Sequence, residues 1–478
     1  MIGDEELLRD EARYCSFGVT VDYLVPPKVF ARCEGSFLYD TDDRAYLDLQ
    51  MWYSACNFGY ANPRLNAALK RQADTLPQLA SQYVHREKVE LAKRLAQRIE
   101  RTWDAKGRVH FNVGGSQAVE DALKLVRNAS NGKSLMFAFE GGYHGRTLGA
   151  SAITSSYRYR RRYGHFGDRA QFVPFPYCFR CPYGKKREDC DLYCVDQFAR
   201  LFDTEYCGVW DPKAGAAEYA AFFVEAIQGT GGYVIPPPGY FEKLKKVLEA
   251  RKILLVDDEI QMGFYRAGKF WAIENFNVQP DVIVFGKALT NGLNPIAGIW
   301  AREELIGPAS FPPGSTHSTF SSNPLGTAVA LETLKLMSES DYETLTRDKG
   351  AYLLARLREL KRRYSIIGDV DGIGMALRIE VCAEDGYTPD KAAVDRMVEE
   401  AMKADLDVGG KRYGLVLDVG GYYKNVITLA PSLDITYDEM DLAIELLDQV
   451  FGRVAPARSV QVALASVTAA GGRRDRLA

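Results

Sequence analysis

Residues 254–261 read Leu-Leu-Val-Asp-Asp-Glu-Ile-Gln and residues 282–289 read Val-Ile-Val-Phe-Gly-Lys-Ala-Leu. Each segment opens with a short run of large apolar residues, the pattern of a strand buried on both faces. Each ends in charge: Asp257, Asp258 and Glu259 in the first, Lys287 in the second. Earlier runs of the same kind are Val109-His110-Phe111, Leu135-Met136-Phe137-Ala138 and Phe222-Phe223-Val224, the last followed by Glu225. Longer helical stretches separate them, and this alternation predicts a parallel sheet covered on both faces. In such a sheet chemistry collects beyond the carboxyl ends of the strands, so the acids and Lys287 are expected at one edge. Side chains alternate along a strand, so at least one of the three acids turns inward, where it needs a cation or several donors.

Two more segments fall at that edge. Asn112-Val113-Gly114-Gly115-Ser116-Gln117 passes from a strand into a helix with Ala118, Ala122, Leu125 and Val126 on one face. Small residues at a helix N-terminus leave backbone N–H groups free for an anion such as phosphate. Taken alone the segment reads as a plain turn and cap, and it matches neither a Walker loop nor a dinucleotide fingerprint. Gly141-Gly142-Tyr143-His144-Gly145 sets an aromatic ring among glycines, where it can cover a planar group. A lysine desolvated at the same edge becomes a carbonyl-trapping amine. Jointly, anion loop, ring, carboxylate and lysine describe a pyridoxal phosphate site. The loop holds the phosphate, Tyr143 covers the ring, Asp258 keeps the ring nitrogen protonated, and Lys287 forms the aldimine.

Composition narrows the field. At 478 residues the chain holds two to four structural units. Its 47% hydrophobic and 26% charged residues exclude a disordered or fibrous protein. Sixty Lys and Arg against 63 Asp and Glu give a net charge of −3, too balanced for nucleic acid or an anionic membrane as main partner. A small-molecule substrate is expected. The acidic start Met-Ile-Gly-Asp-Glu-Glu lacks a signal sequence and no window is apolar enough to span a bilayer, so the cytoplasm is expected. Nine cysteines, an odd number, are read as mostly free thiols. Cys178, Cys181, Cys190 and Cys194 have the spacing of a metal knuckle; packed thiols are the competing reading, and no metal is assigned to the catalytic site. Arg158, Arg160, Arg161 and Arg162 read as a solvated face.

From about Phe37 to Phe451 the chain resembles the class III (ω-) aminotransferases, pyridoxal-phosphate enzymes of fold type I. The resemblance is densest over residues 254–295, where Asp258 matches the aspartate on the pyridine nitrogen and Lys287 the Schiff-base lysine. Gly115 and Ser116 match the phosphate-binding pair, Tyr143 and His144 the ring-stacking segment, and Gln261 the residue near the cofactor's phenolic oxygen. Glu225 is placed among the cofactor contacts. Thr319 in Ser318-Thr319-Phe320-Ser321-Ser322-Asn323-Pro324 would bind the phosphate of a neighbouring subunit, which implies a homodimer. Met51, Trp52 and Tyr53 fall where the family places substrate-pocket residues. The implied architecture is α/β: a large domain over 69–335 with a mostly parallel mixed sheet between helices, and a smaller α+β domain from residues 1–68 and 336–457. Residues 458–478 are expected to form a disordered tail.

Two departures bear on the substrate. Family members that hold an α-carboxylate have an arginine where this chain has Thr428, and a gating glutamate where it has Thr230. A guanidinium clamp on a carboxylate is costly to lose. The implied function is amino transfer between a primary amine or amino acid, an amino sugar included, and a keto or aldehyde acceptor, with Lys424 a candidate for holding acid groups. The alternatives are an amino-acid racemase or epimerase on the same fold, with Tyr53 or His144 as the opposing acid, and a non-catalytic protein on that fold.

Overall fold

The five apolar runs form five strands of one seven-stranded sheet. Its order is Gly107–Asn112, Ala297–Arg302, Val282–Phe285, Leu254–Asp258, Tyr219–Val224, Leu135–Phe139 and Gln171–Val173. The strands are parallel except Ala297–Arg302, which runs antiparallel to both neighbours. These features come from a computed structural model, which describes residues 3–16, 18, 23–160, 163 and 170–455. Arg161, Arg162 and the expected tail at 458–478 lie outside the described residues.

Alternation along the strands feeds two cores. Val282 and Val284 pack on one face with Ala118, Ala122, Leu125 and Val126 of the Gly115–Ala129 helix. Ile283 and Phe285 pack on the other with Leu255, Phe222 and Trp300. Each such side chain contributes about 1.5–3 kcal/mol when fully buried, and this holds the strand ends in register. Both faces being covered explains why the strands read as continuous apolar runs.

The two chain ends meet in a second sheet. Phe30–Glu34, Phe37–Asp40 and Ala45–Asp48 continue through Lys411–Val416 to Leu406–Val408, with Tyr413 paired in parallel to Ala45. A four-stranded antiparallel sheet follows in the order Ile367–Ile373, Ala376–Val381, Val426–Leu429, Asp418–Gly420. Helices Tyr342–Arg363 and Lys391–Ala401 are capped by the side chains of Asp341 and Asp390. Among the described residues no helix is long and apolar enough to cross a membrane.

Candidate active site

Strand Val282–Phe285 ends at Gly286, and Lys287 follows with φ 42°, a left-handed conformation unfavourable for a residue with a side chain. Strain of this kind persists where the surrounding structure over-determines it, often at functional sites. The Lys287 amine donates to Gln261 Oε1 at 3.2 Å, and Gln261 Nε2 donates to the Tyr233 hydroxyl at 3.1 Å. Burial pulls the Lys287 pKa below the ordinary lysine value, against the charges of Asp258, Glu225 and Asp418, which favour its proton.

All three consecutive acids after Leu254 are buried, and they divide the work. Asp258 turns to the lysine's side, its Oδ2 2.8 Å from His144 Nδ1 and its Oδ1 accepting from the Ile260 N–H at 3.2 Å. Burial disfavours charge on His144, but the hydrogen bond to Asp258 prevails and raises its pKa above the ordinary histidine value. Glu259 accepts the N–H groups of Ala272 and Ile273 at 2.9 Å each. Asp257 is fully buried beside Glu259, and burial first, then the Glu259 charge, pushes its pKa well above the usual carboxylate range.

Glu225 joins two loops, accepting from the Tyr143 N–H at 2.8 Å and the Gly229 N–H at 2.9 Å. Burial first, and the nearby Asp258 charge, raise its pKa to about 7, although His144 works in the other direction. Ser116 Oγ accepts from the Arg146 N–H at 3.2 Å, and Gly145 stands at φ 121°. A Cβ at Gly145 would lie 2.3 Å from Ser116 Oγ, so this junction admits only glycine. Gly115, Ser116, Tyr143, His144, Gly145, Glu225, Asp258, Ile260, Gln261 and Lys287 line one cavity of about 200 Å³.

Other sequence-read residues lie elsewhere. Thr319 does not line that cavity; it sits in a separate recess with Asn112, Gln117, Asp121, Thr316 and His317. Met51 is fully buried in the core, whereas Trp52 and Tyr53 are exposed. Met51–Ser54 is a left-handed turn of four successive residues with φ from 44° to 63°. Asp48 anchors it by accepting the N–H groups of Gln50 and Met51 at 2.7 and 2.9 Å. Thr230 accepts the Gly421 N–H on its carbonyl at 3.0 Å, and Thr428 donates its hydroxyl to Asp418 Oδ2 at 2.6 Å. Lys424 sits on the same hairpin, its pKa lowered by burial and by the Arg158 charge. Cys178, Cys181, Cys190 and Cys194 line one small pocket, but among the described residues no three His, Cys, Asp or Glu side chains are arranged to hold a metal ion. Sequence reasoning missed Ile260, Tyr233 and Asp418. Only Ile260 carried a signal, its place inside the acid-rich segment.

The cavity suits pyridoxal phosphate on its donor set alone. The N-cap of the Gly115–Ala129 helix is Gly114, and among the described residues no side-chain cap bond is made there, so the first-turn N–H groups and the Ser116 hydroxyl could take a phosphate. Asp258, backed by His144, offers a carboxylate to a protonated ring nitrogen, and Lys287 offers an amine to an aldehyde. Comparison with known proteins agrees. The chain is 33% identical over 450 residues to an alanine/serine racemase of Pyrococcus horikoshii, covering 93% of this chain and 90% of that one. It is 32% identical over 438 residues to an ornithine aminotransferase of Bordetella pertussis, covering 90% and 93% respectively. Among solved structures, the PLP-bound amine transaminase from an uncultivated Pseudomonas species superposes with a TM-score of 0.81 at 26% identity, covering 92% of this chain and 99% of that one. Since the family model for class-III aminotransferases matches residues 19–451, the chain belongs to that family of pyridoxal-phosphate-dependent, fold-type I aminotransferases.

Proposed function

We propose that this aminotransferase moves the amino group of a primary amine or amino acid to a keto or aldehyde acceptor, with Lys287 and Asp258 as the catalytic residues. The observation that carries the reading is the shared cavity, in which the amine of Lys287 and the carboxylate of Asp258 stand on adjacent strand ends with an uncapped helix N-terminus. When bound, pyridoxal phosphate supplies an aldehyde that condenses with amines and a cationic ring that accepts electrons. Lys287, with its pKa lowered by burial, would capture that aldehyde with loss of water, and once displaced by the incoming amine it would accept the proton leaving the substrate carbon. Asp258 holds the proton on the ring nitrogen, and His144 fixes that carboxylate from behind. Gly115 and Ser116 would bind the phosphate, Tyr143 would cover the ring, Gln261 would meet the phenolic oxygen, and Glu225 positions Tyr143 by accepting its backbone N–H.

Trp52 and Tyr53, exposed on the left-handed turn, form a wall of the substrate entrance, and Met51 supports them from the core. Thr319, which does not line the cavity of its own chain, serves the phosphate of a partner subunit in a homodimer. The unbonded state of all nine cysteines supports work in the cytoplasm. The test is a single-turnover screen of amines that follows loss of the cofactor's aldehyde absorbance. Stoichiometric conversion, reversed by a keto acid, supports the reading, and absence of conversion with every amine rejects it. The likeness to the Pyrococcus racemase favours one second reading, racemisation. It predicts deuterium uptake at the substrate carbon with no keto acid required.

A further inference from the structure

In the four-stranded sheet Thr428 stands directly opposite Arg378 on one side and Asp418 on the other. Directly opposed residues of antiparallel strands share a face, so the three side chains form one row. Arg378 is committed within that row, bonded to the Tyr177 hydroxyl at 2.7 Å and paired with Glu380. Asp418 is only 8% exposed, and it accepts from Thr428 Oγ1 at 2.6 Å, Tyr23 Oη at 3.1 Å and Gln50 Nε2 at 3.2 Å. Three donors on an acceptor-only group orient a carboxylate, yet none of them carries charge. Among the described residues no lysine, arginine or histidine lies within ion-pair distance of it. Lys424, six residues on, feels its charge from farther away and is itself repelled by Arg158.

This carboxylate lies next to the segment read above as the substrate-pocket wall, whose Ser54 Oγ is 3.4 Å from the Tyr233 hydroxyl. Gln50 leads directly into the Met51–Ser54 turn that carries Tyr53, and the Asp418 charge acts on the Tyr53 hydroxyl, on Tyr233 and on Lys287. Tyr233 in turn holds Gln261, the partner of the Lys287 amine. Where carboxylate-binding relatives place a guanidinium, Thr428 therefore steadies an anion. A substrate carboxylate arriving there would meet like charge, whereas an ammonium would neutralise a buried acid that has no cation of its own.

We infer that Asp418 is a specificity residue that binds a second ammonium group of the donor, so that the enzyme takes one amine from a di- or polyamine while this carboxylate holds another. The inference rests on the aminotransferase reading above and refines its substrate class.

The test compares 1,4-diaminobutane and 1,5-diaminopentane with butylamine and pentylamine on the holoenzyme, by single-turnover loss of the aldehyde absorbance. Wild-type enzyme should favour the diamines in kcat/KM by about tenfold or more, as expected for one new charge-assisted contact. Asp418→Asn, which keeps the shape and can keep the hydrogen bonds, should cut that ratio by about tenfold, chiefly through KM. Asp418→Glu should retain part of the preference. Monoamines converted as well as diamines by the wild type, or an unchanged ratio in Asp418→Asn, overturns the inference and leaves amino transfer standing. Conversion of neither class by the wild type overturns amino transfer as well. Should Asp418→Asn fail to fold, the wild-type ratio alone decides.

Discussion

A lysine amine walled off from water loses part of its preference for the proton, and that is the condition Lys287 needs to act as a nucleophile near neutrality. Lys287→Ala should lower turnover by about a thousandfold or more, while Lys287→Arg keeps a charge without a nucleophile and should do no better. Steady-state assays with a competent amine check both. The shift also has a sign that can be read without substrate. A lowered pKa makes the neutral amine available at lower pH, so uptake of pyridoxal phosphate by the apoprotein should half-saturate below about pH 10.4, the ordinary lysine value. Stopped-flow absorbance against pH measures this, and a midpoint at or above the ordinary value contradicts the burial argument. Asp258→Asn should reduce kcat/KM by about a hundredfold or more, because the amide cannot hold the ring-nitrogen proton as a carboxylate does.

At the scale of the element, the Leu254–Asp258 strand and the residue that follows carry opposite duties on opposite faces. Asp258 serves the cavity, whereas Asp257 and Glu259 lie buried together, with burial raising both pKa values, that of Glu259 to about 7. Raised folded-state values mean that these groups stabilise the fold below their unfolded pKa values and lose that contribution as pH rises through about 7. Wild-type holoenzyme should therefore melt at a lower temperature at pH 8 than at pH 5. Asp257→Asn, which gives Glu259 a donor and removes one acid, should be more stable than wild type at pH 8 by about 1–2 kcal/mol and gain less at pH 5. Thermal denaturation at the two pH values separates the cases. The strand itself was legible because both faces are buried and its residues are apolar without interruption. Strand Ala297–Arg302 escaped notice, since Gly298 and two alanines thin its apolar signal. The Met51–Ser54 turn reads as ordinary apolar sequence, because its handedness comes from the distant grip of the surrounding fold and from Asp48, not from glycine. His144 and Asp258 were each visible as residues, but their pairing spans 114 positions and exists only after strands Leu135–Phe139 and Leu254–Asp258 enter one sheet.

At the scale of the whole molecule, the site reads as incomplete within one chain. Thr319 belongs by resemblance to a phosphate site, yet it lies in a recess apart from the cavity that holds Ser116. The homodimer proposed above would account for that separation. Thr319→Ala should weaken pyridoxal phosphate binding by about tenfold, the usual effect of losing a phosphate hydrogen bond to a charged group. Mixed dimers of Lys287→Ala and Thr319→Ala subunits should regain activity, because one of the two shared sites then holds both lesions and the other holds none. Activity of the mixture no greater than the mean of the parents contradicts a shared site. The inferred substrate choice belongs to the same scale, for Asp418, Thr428, Tyr23 and Gln50 come from both ends of the chain and are joined by hydrogen bonds only in the folded molecule. Nothing local in Leu417-Asp418-Val419 marks Asp418 for the role inferred above.

The most direct measurement is peptide mass mapping of the holoenzyme after borohydride reduction, which fixes pyridoxal phosphate on whichever amine holds it. One phosphopyridoxyl group per chain is expected, on the peptide containing Lys287, and none in Lys287→Ala. A label on Lys424 or any other lysine with Lys287 unmodified, or a colourless wild-type protein that takes no label, would contradict it.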